Sequence, residues 1–354
     1  HRPKVADPLA TVLTERLGCR YPIIQTAMGW VAEPQLVAAT CNAGAFGFLG
    51  AAVMQPAEAR TKLAALRGLT DRPFGVNFHM FQPGAAEIVD LVIANKQQVR
   101  AVSFGRGPDK KMIGRFRDAG ILCIPTVGAV KHAQKMVELG CDMVTVQGGE
   151  GGGHTGSVPT TVLLPQVLDT VQVPVIAAGG FADGRGLAAA LAYGAVGIAM
   201  GTRFLMTAES PVPAASKARY TKAGTDQIIV STKVDGMPQR MIPNEYLSML
   251  EKASPFKRLR IAVGLALQWK AQTGMTFQHA LSVVWQGLRE DPGSAAQTVM
   301  AANAPMLLQR SMTDGKPAEG VMSSGQVAAL INQLDSCEAV IQGIMRQAQT
   351  RQLA

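Results

Sequence analysis

The sequence predicts an α/β chain, a (β/α)8 TIM barrel that carries an inserted helical domain. Three observations predict it. Eight short apolar runs recur up to residue 204, each ending in small residues and each followed by an amphipathic stretch. The runs are almost continuously apolar rather than alternating, as in parallel strands covered by helices on both faces. Strand and helix then alternate eight times, which closes a barrel more readily than it spreads an open doubly wound sheet.

The runs, in order, are residues 22–28 (PIIQTAM), 45–51 (AFGFLGA), 74–80 (FGVNFHM), 101–106 (AVSFGR), 121–127 (ILCIPTV), 143–148 (MVTVQG), 173–180 (VPVIAAGG) and 196–204 (VGIAMGTRF). Between them lie segments with three-to-four apolar spacing, such as 56–66 (PAEARTKLAAL) and 130–139 (VKHAQKMVEL). Asp183 is placed to cap the helix that begins GRGLAAALAYG, and Gly194 to end it. A barrel takes about 250 residues, so a chain of 354 leaves room for an insertion. The strand–helix beat stops after Phe204. Helix-like stretches follow at 244–253, 256–268 and 276–288. The expected organisation is a barrel of residues 9–214 and 306–354, with 215–305 as the helical insertion. Residues 323–348 supply amphipathic helices for the barrel wall. The insertion is read as a lid over the strand ends or as the contact surface of a homodimer. Met237, Pro238 and Met241 are its candidate pocket residues, because methionine adapts to irregular apolar ligands.

Composition excludes several classes of function. With 47% hydrophobic and 17% charged residues, the chain can bury a large core and is not disordered. The formal net charge is +9, but the basic residues are scattered (Lys110 and Lys111, then Lys257, Arg258 and Arg260). Aromatics are only 5%, too few for base-stacking platforms, so nucleic acid is not an expected partner. Cys19, Cys41, Cys123, Cys141 and Cys337 form no C-x-x-C pair, which fits neither zinc nor a redox dithiol and suits a reducing compartment. No signal-peptide core and no membrane-spanning apolar stretch are found. A cytoplasmic enzyme with a small-molecule substrate is expected.

In a barrel the site lies at the C-terminal strand ends. Here these read TAMG (26–29), LGAA (49–52), NFH (77–79), FGRG (104–107), PTVG (125–128), QGGEGGGHTG (147–156), AAGG (177–180) and MGTR (200–203). Gly179-Gly180 ends the seventh run and Gly201-Thr202 the eighth, where this fold usually binds phosphate. Glycine lets backbone N–H groups approach phosphate oxygens, although tight turning alone also uses it. The glycine-rich stretch 148–156 contains Glu150 and His154. It reads as a close approach to a flat ligand or as a surface loop. His79 ends the third run, His132 lies on a helix-like stretch and His279 lies in the insertion. There is no H-E-x-x-H and no G-x-S-x-G, so no metal site is expected. A phosphate cradle with neither metal nor nucleophile motif points to a phosphate-bearing cofactor that carries the chemistry.

The strings QTAMGWVAEPQLVAATCNAGAFGFLG, RPFGVNF, QGGEGGGHTG, VIAAGGFADGRGLAAALAYGA and MGTRF resemble the nitronate monooxygenase family, formerly 2-nitropropane dioxygenases. The resemblance implies an FMN barrel enzyme, with relatives that act as NADH:quinone reductases and enoyl reductases. It implies isoalloxazine contacts at Ala27, Met28 and Gly29 and at Gly152, and phosphate contacts at Gly179, Gly180, Gly201 and Thr202. Asn77, Gln147 and Gly153 are counted with the cofactor contacts. His154 matches the family's active-site histidine. Thr126 stands where some members carry a lysine near the flavin pyrimidine, so this chain offers one neutral hydrogen bond and no charge there. The strings VSTKVDGMPQRMI, VMAANAPMLL and SSGQVAALI are similar to a branch tied to bacterial steroid-ring degradation. The implied activity is FMN-dependent oxidation of alkyl nitronates with O2. The alternatives are reduction of a quinone or enone by NAD(P)H, dehydrogenation of a ring-derived acyl-CoA, and flavin binding without catalysis.

Overall fold

Each apolar run becomes a strand in the computed structural model, which describes residues 9–105, 109–273, 278, 285 and 292–352. The strands are β1 (Ile23–Gln25), β2 (Phe46–Gly50), β3 (Phe74–Asn77), β4 (Val99–Ser103), β5 (Leu122–Cys123), β6 (Thr126–Val127), β7 (Val144–Gln147), β8 (Gly153–His154), β9 (Val175–Ala178) and β10 (Ile198–Met200). All but β8 form one parallel sheet. β5 and β6 are two pieces of one strand, interrupted at Pro125, which has no N–H to donate. This strand bonds to both neighbours. The Ile124 N–H donates to the Val102 carbonyl at 2.9 Å, and the Thr145 N–H donates to the Pro125 carbonyl at 2.9 Å. On the far side β10 pairs with β1, Ile23 opposite Ile198. Counting β5 and β6 once, the ladder is an eight-stranded barrel.

The interior is filled from the strands by Ile24, Phe46, Phe48, Ala101, Ile124, Met143, Ile176, Ala178 and Ala199. Phe46 and Phe48 meet edge to face, with ring centroids 5.3 Å apart. Leu13 and Leu17 join this cluster from a short helix, Val12–Leu17. That helix is tied to the barrel by Thr11, whose hydroxyl donates to the Val196 carbonyl at 2.6 Å.

Helices follow the strands as the spacing predicts, among them Pro56–Leu69 and Val130–Glu138. In the helix Gly184–Tyr193, Asp183 accepts the Arg185 N–H at 3.0 Å, and Gly194 ends the helix in the left-handed region. The last helix, Cys337–Gln352, packs on Gly184–Tyr193, where the Gln347 side chain accepts the Gly184 N–H at 2.7 Å. It completes the barrel wall. The rest of the segment 323–348 is only partly helical, with a 3-10 turn at Gln326–Leu330.

The described chain divides into two compact units. The first runs to Gly151 and comprises also Thr155–Pro211 and the residues from Val327 onward. The second comprises Gly152–His154 and Val212–Gln326. Its helices include Ala214–Thr221, Glu245–Lys252, Pro255–Thr273 and Pro292–Met312. The spacing of Glu245–Lys252 and Pro255–Thr273 was legible in the sequence as 244–253 and 256–268, whereas Ala214–Thr221 and Pro292–Met312 were not singled out there. The stretch 276–288 lies almost wholly outside the described residues, as does His279. The second unit is not purely helical. β11 (Ile229–Ser231) and β12 (Gln239–Met241) form a hairpin, and β8 adds to β12 in antiparallel register, His154 opposite Gln239. Val234, Met241, Leu247, Leu250, Leu265, Met300 and Leu307 form its core. Met241 is thus a packing residue rather than a pocket residue, being 1% exposed. Met237 and Pro238 are exposed in the hairpin turn.

Candidate active site

Ten of the sequence-predicted site residues stand at C-terminal strand ends of the first unit. Ala27, Met28 and Gly29 follow β1 and are half-buried. They are anchored by Gln25, whose amide donates to the Thr26 carbonyl at 2.6 Å and to Phe48 at 3.1 Å. The next residue, Trp30, has φ 62°, the only positive value outside glycine among the described residues. A side chain in that region costs about 1–2 kcal/mol. Asn77 ends β3, and its amide donates to the Ser103 hydroxyl at 2.8 Å and the Ser103 carbonyl at 3.2 Å. Thr126 is exposed in β6, and Gln147 ends β7 half-buried.

Gly179 and Gly180 follow β9 with φ 91° and 84°. Two successive left-handed residues can hardly be anything but glycine. β9 pairs with β10, so the pair adjoins Gly201-Thr202. The N–H groups of Gly179, Gly180 and Gly201 have no acceptor among the described residues. Three unpartnered donors at adjoining strand ends fit an anion. Glu150 adds a charge that the glycine pattern did not anticipate. One carboxylate oxygen accepts the Thr160 N–H at 2.8 Å, capping the helix Thr160–Thr170. The other lies 3.2 Å from where a β-carbon on Gly180 would stand.

The remaining three predicted residues, Gly152, Gly153 and His154, belong to the second unit. Gly152 passes the backbone of Ser324 and Gly325 so closely that a β-carbon would stand 2.5 Å from it. His154 is more than half exposed, with its Nε2 2.6 Å from Oδ2 of Asp235. The Asp235 carboxylate is buried, 7% exposed, and its other oxygen accepts the Met237 N–H at 3.0 Å. Burial alone raises the Asp235 pKa. Hydrogen bonds from Gln239, His154 and the Met237 N–H outweigh that and hold it below its ordinary value. Asp235 was missed in the sequence because residues 215–305 were read as helical, so the hairpin and the Asp-Gly turn that carry it were not foreseen. Gly236, at φ 82°, does form that turn.

The five cysteines are free thiols. Burial pushes the Cys19, Cys41, Cys141 and Cys337 pKa values up to about 12, so they are protonated core residues rather than nucleophiles. No helix among the described residues is long and apolar enough to cross a membrane.

The sequence profile of the nitronate monooxygenase family matches residues 10–347. A Rhodococcus jostii protein named (3aS,4S,5R,7aS)-5-hydroxy-7a-methyl-1-oxo-octahydro-1H-indene-4-carboxyl-CoA dehydrogenase is 47% identical over 343 residues, 96% of each chain. A probable nitronate monooxygenase of Staphylococcus saprophyticus is 32% identical over 291 residues, 69% of this chain and 81% of the other. The structure of FabK from Thermotoga maritima is 30% identical with a TM-score of 0.77, covering 97% of each chain. With the barrel, the glycine rim and the match over nearly its whole length, this chain is an oxidoreductase of flavin type and belongs to the nitronate monooxygenase family.

Proposed function

We propose that this protein is an FMN-dependent dehydrogenase of a ring-derived acyl-CoA thioester and acts in the cytoplasm. The observation that carries the reading is the His154–Asp235 pair. An imidazole backed by a carboxylate is arranged to accept a proton. Dehydrogenation next to a carbonyl requires that, whereas a nitronate is already an anion and gives up no carbon-bound proton to a base. The 47% identity to the Rhodococcus acyl-CoA dehydrogenase supports the same substrate class.

In this reading Gly179, Gly180, Gly201 and Thr202 hold the FMN phosphate through their backbones. Ala27, Met28 and Gly29 line the isoalloxazine, with Asn77, Thr126 and Gln147 as further polar or backbone contacts and Gly152 and Gly153 beside the ring. FMN, when bound, supplies a two-electron acceptor for hydride. His154 takes the proton that leaves the substrate carbon. Thr126 brings no cation to the pyrimidine, which separates this chain from lysine-bearing members. Oxidation of alkyl nitronates with O2 is the second reading, favoured by the family match itself.

The test is anaerobic single turnover. FMN-loaded protein is mixed with the 5-hydroxy-indene-4-carboxyl-CoA thioester of the Rhodococcus relative, with an alkyl nitronate, or with NADH or NADPH. Flavin absorbance is followed near 450 nm, about the usual flavin band. Bleaching by the thioester is expected. Bleaching by the nitronate alone replaces the proposal with the second reading, and bleaching by pyridine nucleotide alone replaces it with a reductase.

A further inference from the structure

We infer that Asp235 is a positioning residue that fixes the tautomer of His154, so that Nδ1 is the atom that takes the substrate proton. The inference rests on the proposal that His154 is the base.

Three observations support it. The contact is made through Nε2, at 2.6 Å from Asp235 Oδ2. An ionised carboxylate only accepts, so Nε2 carries the hydrogen and Nδ1 keeps its lone pair. The carboxylate is itself held. Its other oxygen accepts the Met237 N–H, and Gln239 adds a side-chain hydrogen bond. Gln239 lies opposite His154 in the β8–β12 ladder and is 4% exposed. The Asp235 side chain is 7% exposed, while that of His154 is 56% exposed. A buried, multiply bonded acceptor behind an exposed imidazole orients the ring and steadies the imidazolium that forms on proton uptake. Depression of the Asp235 pKa below the usual carboxyl range, by those hydrogen bonds against the opposing effect of burial, keeps it an anion at neutral pH.

A feature of the chain explains why this partner comes from so far away. Gly151, Gly152 and Gly153 precede His154, and such a run cannot hold a ring by its own side chains. The hairpin 229–241 supplies both the strand that pairs with β8 and the carboxylate that holds the ring.

The experiment uses FMN-loaded protein labelled with 15N-histidine. Two-bond 1H–15N correlation reads the tautomer, and His154→Gln assigns the resonance among the five histidines. The result expected is a pyridine-type Nδ1 and a pyrrole-type Nε2. In Asp235→Asn this pattern is lost, and thioester-driven flavin bleaching slows about a hundredfold or more. The apparent thioester affinity changes little, and Asp235→Glu recovers part of the rate. FMN content and melting temperature of each variant are matched to the parent, and the parent spectrum alone tests the tautomer if Asp235→Asn does not fold. An Nδ1-protonated ring overturns the inference, as does an unchanged bleaching rate in Asp235→Asn. Either result leaves His154 as base if His154→Gln is slow. If His154→Gln bleaches at the parent rate, the reading of His154 as base fails and takes this inference with it.

Discussion

The free carboxylate oxygen of Glu150 lies 3.2 Å from the point where a β-carbon on Gly180 would stand. The proposed phosphate cradle therefore has an anion at its edge, and retention of FMN depends on the unpartnered N–H groups beside it. Gly180→Asp would place a second carboxylate there and force a side chain onto a left-handed residue. The purified parent is expected to be yellow and to release FMN, not FAD, on denaturation. The variant is expected to emerge from gel filtration colourless while keeping the parent's circular dichroism. A yellow variant would show that the phosphate lies elsewhere on the rim.

His154 separates the two candidate chemistries by which kinetic constant it moves. If it removes a proton from the thioester substrate, His154→Ala lowers kcat by about a hundred- to ten-thousandfold, with kcat/KM falling alongside. If it only holds an anionic nitronate, the variant raises KM by about ten- to a hundredfold and spares kcat, the loss of a charge-assisted contact of roughly 1.5–3 kcal/mol. Steady-state kinetics at matched FMN content distinguish these outcomes. No change in either constant on any substrate turned over would mean that the histidine only shapes its loop.

Asp235 also leaves a signature in stability. Its folded pKa is depressed below the ordinary 3.8, so the folded state favours the anion. That contribution is fully present above 3.8, shrinks as pH falls through the depressed folded value, and is absent below it. Urea unfolding of the parent and of Asp235→Asn over this range is expected to show a stability gap that is constant at neutral pH and closes in acid. A gap that stays open at low pH would mean that the aspartate acts by packing rather than by charge.

Asn244 anchors the second unit. Its side-chain oxygen accepts the Leu247 N–H at 2.8 Å, capping the helix Glu245–Lys252. Its amide donates to the Pro317 and Gly320 carbonyls, each at 2.6 Å. Asn244→Ala removes a cap of about 1 kcal/mol and strips two carbonyls of a donor. A loss of about 2–4 kcal/mol is expected in denaturant titrations. A loss below about 1 kcal/mol would indicate that water replaces the amide.

The barrel and the location of its chemistry were legible in the sequence alone. A parallel strand buried on both faces is a run of apolar residues. Eight such runs with helical spacing between them leave few other folds, and the barrel strands fall within the runs except that β4 starts at Val99, two residues ahead of its run. The glycines that end β9 were legible for a similarly local reason: a positive φ excludes most side chains at Gly179 and Gly180. Helices of the insertion, such as Glu245–Lys252 behind Asn244, also carry their own signals. What only the tertiary structure decided is pairing at long range. β8 is two residues of a glycine-rich loop with no strand propensity, and it exists because β12 offers a free edge. Asp235 lies 81 residues from His154 in a turn whose local chemistry fully accounts for an aspartate. Met241 could be read as lining a pocket or filling a core until Leu247, Leu250 and Leu307 were seen around it. Backbone conformation and burial pattern are written along the chain, whereas the partner of a polar side chain is set by which distant segments the fold brings into register.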